Sequence, residues 1–279
     1  MAIYDVAIRG GRVVDGAGNP WYYSDIGVRD GKIVRIGSIS ASDADKVIDA
    51  GGLVVCAGFI DLHTYSDGTG LADGDAQSKV RQGVTLDVIG ESNSVGPVEG
   101  PAAGEYREEQ LLRYGVDVTW TDFTGYFQQL IAQGTSINIA SSVAPQQIRR
   151  AVVGFDNRAA EADELEKMKS LVSQAMEQGA VGLSAAWHSG GPEYVDELIE
   201  MAVVAAQYGG YYGTHVGSEG FDIGTELDKT FQIARASGIP VHIYHLKIRG
   251  REHWGQIGRV IDAIESALAE GLEVTADQY

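Results

Sequence analysis

The 279-residue sequence predicts an α/β protein, with repeated strand–helix units behind a small antiparallel β-domain at the N-terminus. Three observations carry that expectation. Residues 1–57 alternate apolar and polar positions around glycine pairs and show no helical period. From residue 58 onward, a helical segment repeatedly ends at glycine and a short β-like run follows. Those runs are rich in Val, Ile, Tyr and Thr, which suits parallel strands buried on both faces.

Within residues 1–57, "YDVAIRGGRVVDG" alternates around Gly10-Gly11. "DIGVRDGKIVRIG" places Asp30-Gly31 between two alternating runs, a strong hairpin signal. "KVIDAGGLVV" reads as another pair around Gly51-Gly52. We expect an incomplete, β-sandwich-like domain here. Residues 58–279 then supply seven strand candidates. These lie in "GFIDLH", "RQGVTLDVIGE", "AQGTSINIASSV", "EQGAVGLSAAW", "YGGYYGTHV", "ASGIPVHIYHL" and "AEGLEVTADQY". Helices precede most of them. Leu165, Met168, Leu171, Val172, Ala175 and Met176 recur at spacings of three and four. Leu198, Met201, Ala202 and Ala205 repeat the pattern, as do Ile257, Val260, Ile261, Ile264 and Leu268. Residues 92–130 read as a long connection of the kind that forms lids. The resulting parallel sheet is either doubly wound or a (β/α)8 barrel. No Gly-x-Gly-x-x-Gly turn follows the first strand, which weighs against a dinucleotide fold.

Composition excludes several functions. A formal net charge of −18 repels phosphate backbones, so no nucleic acid is expected. No basic run or long apolar stretch points to a membrane, and the start of the chain does not read as a signal peptide. The single cysteine, Cys56, cannot form an intrachain disulfide, which fits a cytoplasmic location.

The candidate chemistry lies at strand ends, where barrels of this type carry their sites. His63, Glu91, His215, His245 and Asp277 close five of the seven runs, whereas the third ends in Ser141-Ser142 and the fourth near Trp187-His188. A lone histidine after an apolar run is more often structural than a ligand. Three at the same end of neighbouring strands favour a metal. Glu91 taken alone reads equally well as a loop carboxylate. His242 lies three residues before His245, on the opposite strand face, and His188 and His253 lie in loops; these three are read as structural. In "GFIDLHTYSD", His63 and Tyr65 share a face where a second histidine would complete a metal pincer. A neutral tyrosine is a poor ligand.

"GFIDLHTYSD", "GVTLDVIGE", "YYGTHVGSEG", "PVHIYHLK" and "EVTADQY" resemble, in order, the signatures of the N-acyl-D-amino-acid deacylases (D-aminoacylases) of the amidohydrolase superfamily. The resemblance implies a (β/α)8-type barrel, here ending after strand seven, with a small β-domain built from both chain ends. It makes His63 a ligand of a more exposed metal position, with Tyr65 in the place of that position's second histidine. Glu91 falls at the residue shared by two metal positions. His215 and His245 match the ligands of the tighter one, and Lys247 falls where a lysine pairs with the substrate carboxylate. The expected catalytic aspartate belongs to an eighth strand, beyond Tyr279. "AAWHSGG" does not match the family's tyrosine-containing stretch after strand four.

Zinc accepts histidine nitrogen and carboxylate oxygen, and catalytic zinc typically has three protein ligands. Glu91, His215 and His245 supply three, so one tight Zn2+ site is expected and a second is impaired at Tyr65. The expected reaction is hydrolysis of a linear amide in an N-acyl-D-amino acid or related small molecule. The chain reads as a fragment or one part of a split protein, whose partner is a complementary chain or further copies of itself in a homo-oligomer. The alternative is a catalytically degenerate barrel serving as a structural or metal-binding subunit.

Overall fold

A computed structural model describes residues 2–186 and 195–279. The chain divides into two compact units, Met1–Phe59 and Ile60–Tyr279. Trp187 and His188, singled out in the sequence, lie outside the described residues.

The first unit is a five-stranded sheet of β1 (Tyr4–Val14), β2 (Tyr22–Arg29), β3 (Lys32–Gly37), β4 (Ala44–Asp49) and β5 (Val54–Cys56). The Asp30-Gly31 hairpin forms as the sequence implied. Both residues have positive φ, 51° and 71°, the conformation of a type I′ turn, and β2 pairs antiparallel with β3. The expectation of an antiparallel domain needs correction, because the sheet is mixed. β1 pairs antiparallel with β2 but parallel with both β4 and β5. Gly51-Gly52 does not fold "KVIDAGGLVV" into a hairpin. β4 lies along Tyr4–Arg9 and β5 continues along Arg12–Val14 on the same edge of β1. A register shift between Ile8 and Gly11 in β1 accompanies the break between them. The turn backbone then bonds β1 itself: Ala50 N–H donates to Arg9 O (2.8 Å) and Arg12 N–H to Leu53 O (2.9 Å).

The second unit contains β6 (Phe59–Asp61), β7 (Val84–Ile89), β8 (Asn138–Ser141), β9 (Gly182–Ala185), β10 (Tyr211–Thr214), β11 (Val241–Ile243) and β12 (Val274–Ala276). Each falls within one of the seven runs read from the sequence. The strands pair in chain order, β6-β7-β8 and β9 to β12, and a parallel bridge from Val143 to Leu183 joins the two sets. The pairs β7–β8, β9–β10, β10–β11 and β11–β12 are parallel. Chain-order pairing without reversal is the winding of a barrel-type sheet, since a doubly wound sheet reverses order at its switch point.

The helices among the described residues are α1 (Asp67–Ala72), α2 (Gln77–Val80), α3 (Ala103–Tyr114), α4 (Phe123–Gln133), α5 (Pro145–Val152), α6 (Ala162–Glu177), α7 (Val195–Gln207), α8 (Ile223–Ser237) and α9 (Ile257–Ala269). The apolar stripe of α6 buries Met168, Val172, Ala175 and Met176, and that of α7 buries Met201, Ala202 and Ala205. Full burial stabilises a Met or Val side chain by about 1.5–3 kcal/mol. On α9 only Val260 and Ala267 are buried, while Ile257, Ile261 and Leu268 stay exposed. Gly238 ends α8 with φ 72°, a left-handed position where a side chain would be strained.

Residues 92–130 are not the open connection the sequence suggested. They carry α3 and the start of α4, and Val95, Val98, Tyr106, Val116, Val118, Trp120, Phe123 and Tyr126 are all buried there. Trp120 Nε1–H donates to the buried Val95 carbonyl at 2.7 Å. The aromatics that read as lid residues form part of the main core. No described helix is long and apolar enough to cross a membrane.

Candidate metal centre

The candidate residues sit just past the C-terminal ends of their strands. Parallel pairing points these ends in one direction for the paired strands β7–β8 and β9 to β12. His63 follows β6 by two residues, Glu91 follows β7 by two, His215 adjoins β10, and His245 follows β11 by two. The ligand-capable nitrogens of His63, His215 and His245 lie within 4.8 Å of one another. Glu91 joins them from β7. Its Oε1 is 3.0 Å from His215 Nε2 and its Oε2 is 3.9 Å from His63 Nε2. The structure therefore brings together all four residues read from the sequence as metal candidates.

Burial alone would raise the pKa of Glu91, but the adjacent His215 and His63 imidazoles and the hydrogen bond from the Ser92 hydroxyl outweigh it. They hold the carboxyl well below the usual carboxylate range. Burial pushes the His245 imidazole below its ordinary value, and the neighbouring His215 and Lys247 push the same way. A carboxylate beside imidazoles is the donor set a zinc ion takes. Glu91 Oε2 is buried without a hydrogen-bond partner among the described residues, a cost that a cation at this point would offset. The residues present fit the metal.

Tyr65 stands beside His63, with its phenol oxygen 3.2 Å from His63 Nε2. Burial and the nearby Glu91 raise its pKa, so the phenol stays protonated and is a poor ligand. Lys247 Nζ contacts Glu219 Oε1 at 2.5 Å and His245 Nδ1 at 2.9 Å. Glu219 Oε1 also lies 3.1 Å from His245 Nδ1. The Lys247 ammonium can only donate, so it makes Nδ1 of His245 an acceptor, while Glu219 holds the ammonium in place. An open cleft of about 800 Å³ adjoins this group, lined by His215, Glu219, His245, Lys247, Trp254 and Tyr279 among others.

Sequence reasoning missed Glu219 and Tyr244. Glu219 lies four residues after His215 inside "THVGSEG", and its contact with Lys247 closes over 28 residues. Tyr244 stacks on the His63 ring, with centroids 4.3 Å apart and planes 14° from parallel. Its neighbour position to His245 was the only available signal. His253, read as structural, lies 3.6 Å from Glu252. His242 is buried as expected, and its partner proves to be Asp277.

Parallel strands in chain order with imidazoles and a carboxylate gathered at their ends define an α/β protein with a candidate metal centre. The sequence profile of the Amidohydrolase family matches residues 46–273. The chain belongs to that family. It is 34% identical over 279 residues to a D-aminoacylase of Alcaligenes xylosoxydans xylosoxydans, covering 99% of this chain and 57% of that protein. It is 32% identical over 280 residues to an N-acyl-D-glutamate deacylase of the same organism, covering 99% and 56%. The crystal structure of an N-acyl-D-glutamate deacylase from Bordetella bronchiseptica, complexed with zinc and a phosphonate inhibitor, superposes with a TM-score of 0.89 at 31% identity, covering 99% and 58%. A D-aminoacylase structure, described with a binuclear metal centre, one-metal activation and second-metal attenuation, gives 0.85 at 33% identity over the same shares. The chain thus spans a little over half the length of these relatives. The resemblance read from the five motifs is borne out.

Proposed function

We propose that the protein carrying this chain is a zinc-dependent hydrolase of N-acyl-D-amino acids or closely related linear amides. The observation that carries this reading is the convergence of His63, His215 and His245 within 4.8 Å, with the buried Glu91 against two of them. Glu91, His215 and His245 would hold one tight ion, and His63 with Tyr65 would form an impaired second position. A zinc ion there would polarise the amide carbonyl and acidify an attacking water.

The chain's own residues do the rest. Glu219 anchors Lys247 against Nδ1 of the His245 ring, and Tyr244 braces His63 by stacking. Lys247 presents the positive charge in the cleft and takes the substrate carboxylate, in exchange for part of its contact with Glu219. The relatives acting on D-amino-acid derivatives support this substrate class. A specific observation favours a second reading, a degenerate metal-binding subunit: a tyrosine hydrogen-bonded to His63 where a ligand is expected.

The test is release of free amine from a panel of N-acetyl-D- and N-acetyl-L-amino acids by the whole protein, with zinc and with chelator. Zinc-dependent hydrolysis of the D series supports the hydrolase. Zinc retained without turnover of any member supports the degenerate subunit.

A further inference from the structure

His245 is one of four non-glycine residues with positive φ among the described residues, at 40°. A bulky side chain rarely takes that conformation, and it persists only where the surroundings over-determine it. The surroundings here come from the end of β12. Asp277 Oδ1 accepts the His245 N–H at 2.5 Å. The Asp277 carbonyl accepts the Leu246 N–H at 2.9 Å, and the Asp277 N–H donates to Ile243 O at 3.1 Å. The single residue just past β12 therefore clasps the whole turn that follows β11.

The clasp is itself braced. Asp277 Oδ2 accepts from Nε2 of the buried His242 at 3.0 Å. His242 Nδ1 lies 2.8 Å from Thr275 Oγ1, its register partner across the β11–β12 ladder. The Thr275 hydroxyl in turn donates to Val241 O at 3.3 Å. With both oxygens engaged, the Asp277 carboxylate cannot rotate without losing the His245 amide. The His242 ring packs edge-on against Tyr244, with centroids 5.5 Å apart, and Asp277 meets His245 through the backbone only.

We propose that His242 and Asp277 form a positioning pair that holds the left-handed backbone of His245, and so sets the aim of its ring and the metal affinity of the centre. The inference rests on the metal reading above. It assigns Asp277, a carboxylate at a strand end, to positioning rather than proton transfer.

The test measures zinc affinity of the full chain by chelator competition, and the visible spectrum of the cobalt(II)-loaded protein. Asp277→Ala should weaken zinc about 10–100-fold, the range for outer partners of a ligand, and shift the cobalt bands. Asp277→Asn should recover most of the affinity, because its oxygen still accepts the His245 N–H and its amide donates to Nε2 in the other His242 tautomer. His242→Ala keeps the carboxylate but removes the brace, and should lose affinity several-fold; it serves if Asp277→Ala does not fold. Arg235→Ala, which removes the distant 2.8 Å pair with Glu270, is the control and should bind zinc as the parent does. Parent-like affinity and cobalt spectrum in Asp277→Ala or His242→Ala would overturn the proposal. So would an equal loss in the control. A parent chain that binds no zinc would instead overturn the metal reading itself, before any variant is compared.

Discussion

Replacing Tyr65 with histidine should lower stability without metal and raise it with metal. The phenol makes one hydrogen bond, to His63 at 3.2 Å, and the side chain is 56% exposed. A little under half of a tyrosine's area amounts to roughly 90 Å² removed from water. The smaller imidazole recovers about half of that, so the area lost is worth about 1 kcal/mol at ~25 cal/mol/Å². Losing an exposed hydrogen bond adds about 0.5–1 kcal/mol. In chelator, Tyr65→His should therefore be about 1–2 kcal/mol less stable than the parent, or several degrees in Tm. With zinc, the new imidazole completes the pair with His63. An extra ion at about 100 times its Kd contributes about 2.7 kcal/mol, which exceeds the loss. Thermal unfolding in chelator and in excess zinc, alongside elemental analysis, reads both effects. The order of the two Tm values should invert between the conditions, and zinc should rise from about one to about two per chain, following the ligand count. An unchanged zinc content with no inversion would refute the reasoning, and so would two tight ions in the parent.

Three further outcomes are expected. Asp67 is pushed up to about 7 by burial, with Glu91 and Glu109 adding to the shift. A carboxyl with a raised folded value binds more protons folded than unfolded between about pH 4 and 7, so stability falls as pH rises through that window. Asp67→Asn should flatten the slope and stabilise the protein at pH 8, by at most about 4 kcal/mol and less with solvent screening, in denaturant melts across pH. Trp120→Phe strands the buried Val95 carbonyl and should cost about 1–3 kcal/mol by the same melts, with zinc content unchanged. Lys247→Met should keep zinc and raise KM roughly 10–100-fold for N-acetyl-D-amino acids, the worth of one charge-assisted hydrogen bond, with a smaller change in kcat.

Local signals made much of this protein legible. Helix-ending glycines such as Gly238 announce themselves because only a left-handed residue can end the helix there. Chain-order βα units placed His63, Glu91, His215 and His245 at strand ends, and that placement alone brought them together. What the sequence hid depends on distant pairing. β4 and β5 read as a hairpin because nothing local shows that both seek the same edge of β1. The aromatics of residues 92–130 looked like a lid because burial of Trp120 and Tyr126 is a tertiary event. His242 was legible as lying on the strand face opposite His245, but its bond to Asp277 spans 35 residues. Glu219 reaches Lys247 only once the turns after β10 and β11 are folded side by side.

The most direct test titrates zinc into the chelator-stripped whole protein while following hydrolysis of an N-acetyl-D-amino acid. The four-residue centre predicts no rate without metal and a maximum near one zinc per chain, with Glu91→Gln failing to reach it at the same zinc concentration. A rate indifferent to chelator, or one that survives Glu91→Gln unchanged, would contradict the account.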